Sequence, residues 1–373
     1  MNVFQFAPII FLLLCHTAAQ GNEHRTVSSA QELIDLFAAS PQTVLRVDIT
    51  LTQDLDFAGH DIYPLGVHEK TCYPYSGVFD GAGHAVRNLC MDHFGGAQYE
   101  GAGLFCSLEN ATVRNLVIAA SCRLRARFVG PVSVSAAGAV AVENVLNRAS
   151  TDGYMRTGGI LGSVLRTAGL ALRLANCTNE GAIVSTGTNS GQTGGLVGQI
   201  MRVAGATVAL QNCTNRGRVE ASVQAGGLAG YIGLLTDASA VRIEGCANEG
   251  AVTGSYNQIG GLVGVLEQNT DTAITIADSV NSGAVTGNEN VGGLIGSEYD
   301  GTRVTEDMRV AIVARTHVIV RVPPQTQAAD VDLAAVVRAF DVLVPGSARL
   351  TVPRLVALAG GEVVQIDLFF FSQ

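Results

Sequence analysis

Proline is missing from the long middle of this 373-residue chain: none stands between Pro131 and Pro323. A central strand cannot spare the ladder donor that proline lacks, so the gap suits an unbroken run of paired strands. Charge is scarce too, at 15% Asp, Glu, Lys and Arg, and the net balance is −9. A nucleic-acid partner would need a basic face, which excludes that class. Residues 302–373 hold seven Arg against seven acids, so the excess negative charge lies upstream. Lys70 is the sole lysine among 23 basic residues, which we read as codon bias rather than arginine chemistry. No C-x-x-C, Walker A, Rossmann or G-x-S-x-G pattern occurs. The usual zinc pair, phosphate loop, dinucleotide fingerprint and nucleophile elbow are therefore absent, and neither a metal nor a cofactor is expected. What is plentiful is apolar residues, at 47%, and glycine, at 44 residues without a G-X-Y period. Disorder and collagen are excluded; stacked strands joined by tight turns fit.

The chain opens on an export pattern. Residues 4–14 are an apolar core, and Thr17 and Ala19 stand at −3 and −1 of a cut before Gln20. We expect a signal peptide over 1–19 and a secreted or cell-surface product. The apolar run is too short to span a bilayer comfortably, no other stretch reaches 18 apolar residues, and Leu368-Phe369-Phe370-Phe371 is brief. No membrane span is expected after cleavage. Beyond the signal, cysteines stand at 72, 90, 106, 122, 177, 213 and 246. In an oxidising compartment some should pair. Cys72 with Cys90 and Cys106 with Cys122 are plausible, though spacing alone leaves connectivity open, and an odd total leaves a thiol free. Asn110, Asn176 and Asn212 each open an N-x-T sequon, a glycosylation acceptor in a eukaryotic secretory path.

Repeats decide the architecture. Gly158-Gly159-Ile160-Leu161-Gly162 returns at Gly194, Gly226, Gly260 and Gly292, in steps of 36, 32, 34 and 32 residues. An N-x-G-x-[VI] motif keeps the same beat: Asn179 with Gly181, Asn215 with Gly217, Asn248 with Gly250, and Asn281 with Gly283. Cys177, Cys213, Cys246 and Ser279 precede those asparagines by two residues. Two motifs locked to one period mark a solenoid. Each unit carries three extended runs, for example 207–211, 218–222 and 226–232, and none is long enough for a crossover helix. The reading is all-β, a right-handed parallel β-helix with rungs about 4.8 Å apart. The asparagines should form a hydrogen-bonded ladder, and the glycines two residues on should supply a positive-φ corner. Weaker blocks at Gly103-Leu104-Phe105-Cys106 and Gly138-Ala139-Val140-Ala141 suggest that the array starts earlier, with one short rung.

Solenoids need caps. Ser29 and Glu32 read as a capping box, and Leu33, Ile34, Leu36 and Phe37 as the apolar face of a helix over 30–39. The expected layout is a signal at 1–19, an N-terminal cap with a short helix at 20–44, a β-helix at 45–301, and a C-terminal cap or small α+β appendage at 302–373. In that last segment, 308–322, 348–357 and 362–371 read as strands and 329–340 as helix.

The G-G-L-V-G blocks alternating with N-x-G-x-V resemble the GLUG-motif repeat. The upstream order of Leu51 to Phe57, Pro64-Leu65-Gly66, and Ser76 to His84 with Asn88-Leu89 is similar to the opening rungs of such proteins. The resemblance covers roughly 45–300. It implies a pectate-lyase-like parallel β-helix, and a setting among cell-surface, adhesin-like proteins and some immunoglobulin-cleaving metallopeptidases. No H-E-x-x-H occurs, so the catalytic domain of those peptidases is missing.

Chemistry is weighed on that scaffold. Asp54, Asp56, Asp80 and His84, with Asp61 nearby, are the best constellation for an acid/base or cation site; a carbohydrate-active lyase or hydrolase would place its carboxylates there. The competing reading makes them turn formers. Stacked Cys177, Cys213 and Cys246 read as small inward residues. Glu180, Arg216, Glu249 and Ser282, each following a ladder asparagine, alternate like a solvated rim. A binding, adhesion or structural module is favoured, its partner an extracellular glycan or surface or matrix protein, with Tyr63, Tyr73, Tyr75 and Tyr99 as aromatic contacts.

Overall fold

A computed structural model of the protein describes residues 22–39, 42–94, 99–165, 168–187, 191–267, 272–299, 308–313, 317–320, 351–357 and 364–369. The expected signal segment, 1–19, and the expected helix, 329–340, lie outside the described residues.

The chain coils as a parallel β-solenoid. A 24-stranded sheet wraps most of the coil, and two seven-stranded sheets complete it. One runs from Cys90–Asp92 to Val285–Thr286, the other from Gly101–Ala102 to Glu289–Gly292. The coil carries five short strands per turn rather than three: Thr193–Gly194, Val197–Met201, Thr207–Gln211, Thr214–Asn215 and Val219–Ala221. The run read as 226–232 breaks in two because Gly226 and Gly227 turn a corner between Ala225–Gly226 and Ala229–Gly233.

Register explains the spacing of the apolar residues. Leu174, Leu210, Ile243 and Ile276 lie one above the other, as do Leu172, Val208, Val241 and Ile274. All eight are at most 1% exposed. Each buries an aliphatic side chain worth about 1.5–3 kcal/mol, so every added turn extends one continuous core.

The two sequence motifs keep one beat because they touch. Asn147, Asn179, Asn215, Asn248 and Asn281 are buried and chained by Nδ2–Oδ1 hydrogen bonds of 2.7–2.8 Å. Each of the last four also donates to the carbonyl of the glycine two residues on. Against them lies the second glycine of each G-G pair. A Cβ on Gly159, Gly195, Gly227 or Gly261 would come within 2.2–2.6 Å of a ladder-asparagine side chain. This contact pinches the cross-section. A small second core of Ile183, Val219, Ala221, Ala225, Val252 and Ile259 lies apart from the main one.

The expected role of Gly181, Gly217, Gly250 and Gly283 is corrected. None has positive φ. They are required because the neighbouring turn is too close: a Cβ on each would fall 1.9–2.1 Å from the carbonyl oxygen of Ala149, Gly181, Gly217 and Gly250 in turn. Left-handed corners sit elsewhere, one column of them at Asn115, Asn144, Asn176, Asn212, Gly245 and Asp278 and another at Arg156, Gln224, Gln258 and Asn290. The short-rung alignment is corrected too. Gly103 lies under Gly130, not Gly138, and Gly130-Pro131-Val132 occupies the level that Gly158-Gly159-Ile160 takes in the next turn.

At the N-terminal end, strand Glu23–Val27 pairs in parallel with Val47–Leu51. Helix α1, Ala30–Ala38, follows. Ser29 Oγ accepts from the Glu32 N–H at 3.2 Å, and the Glu32 carboxylate accepts from Ser28 N–H at 2.7 Å. Leu33 and Phe37 are buried, with Ile34 and Leu36 half-buried against the core. At the other end Met308–Val313 and His317–Val320 extend the wide sheet in parallel, and Val364–Phe369 joins antiparallel to both His317–Val320 and Thr351–Ala357.

Candidate functional site

The acidic residues singled out in the sequence act as rivets between turns: Asp54 and Asp56 fasten to residues 85–88, and Asp80 to Arg114 and Asn115. Asp54 accepts from Ala85 N–H at 2.8 Å and from Arg87 Nε at 2.9 Å, with His84 Nδ1 3.5 Å away. Asp56 accepts from Asn88 Nδ2 at 2.7 Å and from Ala58 N–H at 2.9 Å. Asp80 accepts from Ala82 N–H at 2.9 Å, Asn115 Nδ2 at 3.0 Å and Arg114 Nε at 2.9 Å.

These bonds set the titration. The Ala85 amide, then Arg87, hold Asp54 below the ordinary carboxylate range. Asn88, then the Ala58 amide, do the same for Asp56. Partial burial pushes Asp80 up, but Asn115, Ala82 and Arg114 together outweigh it and carry it down. A glycoside hydrolase needs one carboxyl kept protonated by a raised pKa. Three carboxylates all shifted downward offer no such proton donor. Asp61 is exposed.

Charge along the rod is cancelled in axial columns. Arg148, Glu180, Arg216 and Glu249 form one chain of ion pairs, at 2.8 Å from Arg148 to Glu180, 3.6 Å on to Arg216 and 3.1 Å on to Glu249. Arg125 bridges Asp92 and Asp152, each at 3.1 Å, and Arg173 pairs with Glu143. The alternation of sign in the sequence is therefore a set of salt-linked turns. Among the described residues no group of three or more His, Cys, Asp or Glu is placed to hold a metal ion.

The sequons and thiols fall on different columns. Asn110, Asn176 and Asn212 are exposed, each with φ near +52°. Asn176 Nδ2 donates to Asn144 Oδ1 at 3.2 Å. Cys177, Cys213 and Cys246 stack on successive turns in the core, and hydrogen bonding with the Cys213 thiol, then burial, pushes Cys177 and Cys246 above the ordinary range. An amide ladder that sequence reading missed, Gln192–Gln224–Gln258, runs at 2.7 and 3.1 Å along another corner.

Neither proposed cysteine pairing occurs. The disulfide is Cys72–Cys106, with a Cα–Cα separation of 5.8 Å. Cys90, Cys122, Cys177, Cys213 and Cys246 are free. The bridge clamps an excursion from the coil. Leu65 and Tyr75 each bridge the strand beginning at Phe105. Between them the chain leaves as a hairpin, Val67–His68 against Thr71–Cys72, turned by Glu69 and Lys70 in the left-handed region.

That excursion makes one wall of a half-open cavity of about 380 Å³. Helix α1 gives Ile34, Phe37 and Ala38, the approach to the first turn gives Thr43 and Leu45, and the excursion gives Ile62 to His68 and Tyr73. The lining is mostly apolar, with Thr43, Tyr63, His68 and Tyr73 as polar contributors. Its size is that of a small-ligand site.

Of the four tyrosines expected to contact a partner, Tyr63 and Tyr73 line this cavity. Tyr75 does not: it is 1% exposed, its hydroxyl donates to Val47 O at 2.7 Å, and its ring stacks 5.1 Å from that of Phe105. Tyr99 is half-buried, and burial pushes its hydroxyl up to about 12. Tyr154 and Tyr256 are exposed, at 39% and 65%, and sequence reading missed both.

No protein-family model and no curated protein matches this chain. Solved structures resemble it, among them these two. One is a candidate immunoglobulin A1 protease from Bacteroides ovatus, 16% identical, with 87% of this chain and 89% of that one covered and a TM-score of 0.52. Another, described as an IgA1 protease, is 16% identical over 76% of this chain and 21% of its own length, with a TM-score of 0.47. At such identity the first likeness shows a shared fold.

Proposed function

We propose that this chain is an exported β-solenoid of the GLUG-repeat kind that serves as a binding module, engaging its partner through the N-terminal cavity rather than cleaving it. The observation that carries the reading is the cavity between α1 and the disulfide-clamped excursion. Its apolar lining suits an apolar side chain of another protein. A glycan would leave many hydroxyls facing too few donors and acceptors. The disulfide and the export pattern support an extracellular setting.

The name of the Bacteroides ovatus neighbour suggests peptide cleavage. The carboxylates at Asp54, Asp56 and Asp80 do not support that role here, since each is engaged by hydrogen bonds from the next turn, with Arg87 pairing Asp54 and Arg114 pairing Asp80. Binding by the full chain to a peptide library and a glycan array tests the proposal, with the Ile62→Glu variant as control. Peptide binding that falls at least tenfold in Ile62→Glu is expected. Glycan binding indifferent to Ile62→Glu, or release of cleaved peptide or sugar, would overturn it.

A further inference from the structure

We propose that the Cys72–Cys106 disulfide is a redox gate on this cavity: breaking it releases the wall formed by residues 66–73 and lowers affinity for an apolar ligand. This rests on the cavity being the binding site.

Backbone hydrogen bonds to the coil hold the wall at both ends. Leu65 is fixed to the coil through its N–H to Leu104 O, 2.8 Å, and its carbonyl to Cys106 N–H, 2.9 Å. Tyr75 is fixed through its N–H to Ser107 O, 3.0 Å, and its carbonyl to Glu109 N–H, 2.9 Å. Between these anchors the described backbone hydrogen bonds of 67–73 run within the excursion: Val67 N–H to Pro64 O, 3.0 Å, Tyr73 N–H to Gly66 O, 2.8 Å, and the rungs of the hairpin. Pro74 O, next to the Tyr75 anchor, accepts from Leu45 N–H at 3.3 Å, and Tyr73 O lies 3.5 Å from Cys106 Sγ, at the disulfide itself. A hairpin with two residues per strand is marginal in water by itself. The disulfide is the tie that crosses from its second strand to the coil.

The base of the excursion is pressed onto that tie. Gly66 has φ +93°, and a Cβ there would lie 3.0 Å from Cys106 Sγ and 2.3 Å from Tyr73 O. Gly66, Val67, His68 and Tyr73 all line the cavity. Cys72 is half-buried while Cys106 is fully buried, so attack comes at the Cys72 side. A dithiol reductant supplies the balance: its two thiols lose two electrons and two protons and become a disulfide, the Cys72–Cys106 bond breaks, and each sulfur takes up one electron and one proton. The core beneath does not depend on the bridge, because Phe37, Tyr75, Phe79 and Phe105 interlock there with ring centroids 5.1–5.9 Å apart.

The test uses the full chain with an anilinonaphthalene sulfonate dye as the apolar probe and amide exchange as a readout independent of any ligand. Dye fluorescence should fall severalfold on treatment with a phosphine reductant, and equally in a Cys72→Ser, Cys106→Ser double variant. Amides of 66–73 should exchange at least tenfold faster while those of the repeats stay unchanged. Unchanged exchange at 66–73, with reduction verified by mass, overturns the gate. Faster exchange there with a dye signal that ignores both Ile62→Glu and reduction leaves a mobile wall but overturns the cavity as a site, and the gating of binding with it.

Discussion

Asp80 shows what a single carboxylate does in this coil: it fixes its own turn through the Ala82 amide and binds Arg114 and Asn115 of the turn above. Its pKa is depressed, so its contribution is fully present above the unfolded carboxylate value near ~4 and is lost as pH falls through the lower folded value. Asp80→Asn should destabilise the protein at pH 6 by about 1 kcal/mol, the scale of one net hydrogen bond. The gap in melting temperature between wild type and variant should then narrow as pH drops below ~4. A gap that stays constant from pH 6 to pH 2.5 would remove the charge-based account. The sequence offers Asp80 both as a candidate acid/base residue and, from the neighbouring Gly81 and Gly83, as a turn former. It could not show that Arg114 and Asn115 complete the site, because those residues lie 34 and 35 positions away. Tyr75 is stacked on Phe105 rather than facing a partner, and nothing local in the sequence distinguishes the two.

Short elements here are defined by their neighbours above and below more than by their own propensity. The period of the Gly-Gly blocks and of the asparagines was readable, and it led directly to stacked coils. The physical job of the glycines was not, because close approach between turns and a positive φ leave the same residue in the sequence. Gly227 separates the two readings. A Cβ there would meet Gly261 O at 2.1 Å and Asn248 Cγ at 2.2 Å, and Gly227 is not a positive-φ position. Gly227→Ala should therefore cost about 2–3 kcal/mol through overpacking, read as a lower denaturant midpoint with an unchanged slope. A loss below about 0.5 kcal/mol, within the range of ordinary surface substitutions, would mean that the pinch between glycine and asparagine columns is not close-packed. The excursion at 66–73 was hidden for a different reason. It interrupts the repeat before the regular blocks begin, and its disulfide joins Cys72 to Cys106 across the coil, so sequence neighbours suggested the wrong partners.

Across the whole molecule the coil is nearly one-dimensional, and its two ends are built differently. The first turns hold the large rings, Phe37, Phe57, Tyr75, Phe79 and Phe105, together with α1 and the disulfide. The later turns rely on aliphatic columns and the asparagine ladder. Each turn touches mainly its two neighbours, so damage should stay local rather than spread through one global core. Asn248 is the place to test this, since it accepts from Asn215 at 2.8 Å and donates to Asn281 at 2.7 Å and Gly250 O at 2.9 Å. Asn248→Ala removes all three bonds and leaves buried partners short, a loss of about 2–4 kcal/mol. Amides in the turns around 207–299 should exchange at least tenfold faster, the equivalent of ~1.4 kcal/mol. Amides of 45–120, and dye binding at the N-terminal cavity, should not change. If protection falls by the same factor along the full coil, the rod unfolds as a single unit, and the separation drawn between a binding end and a repetitive shaft loses its physical basis.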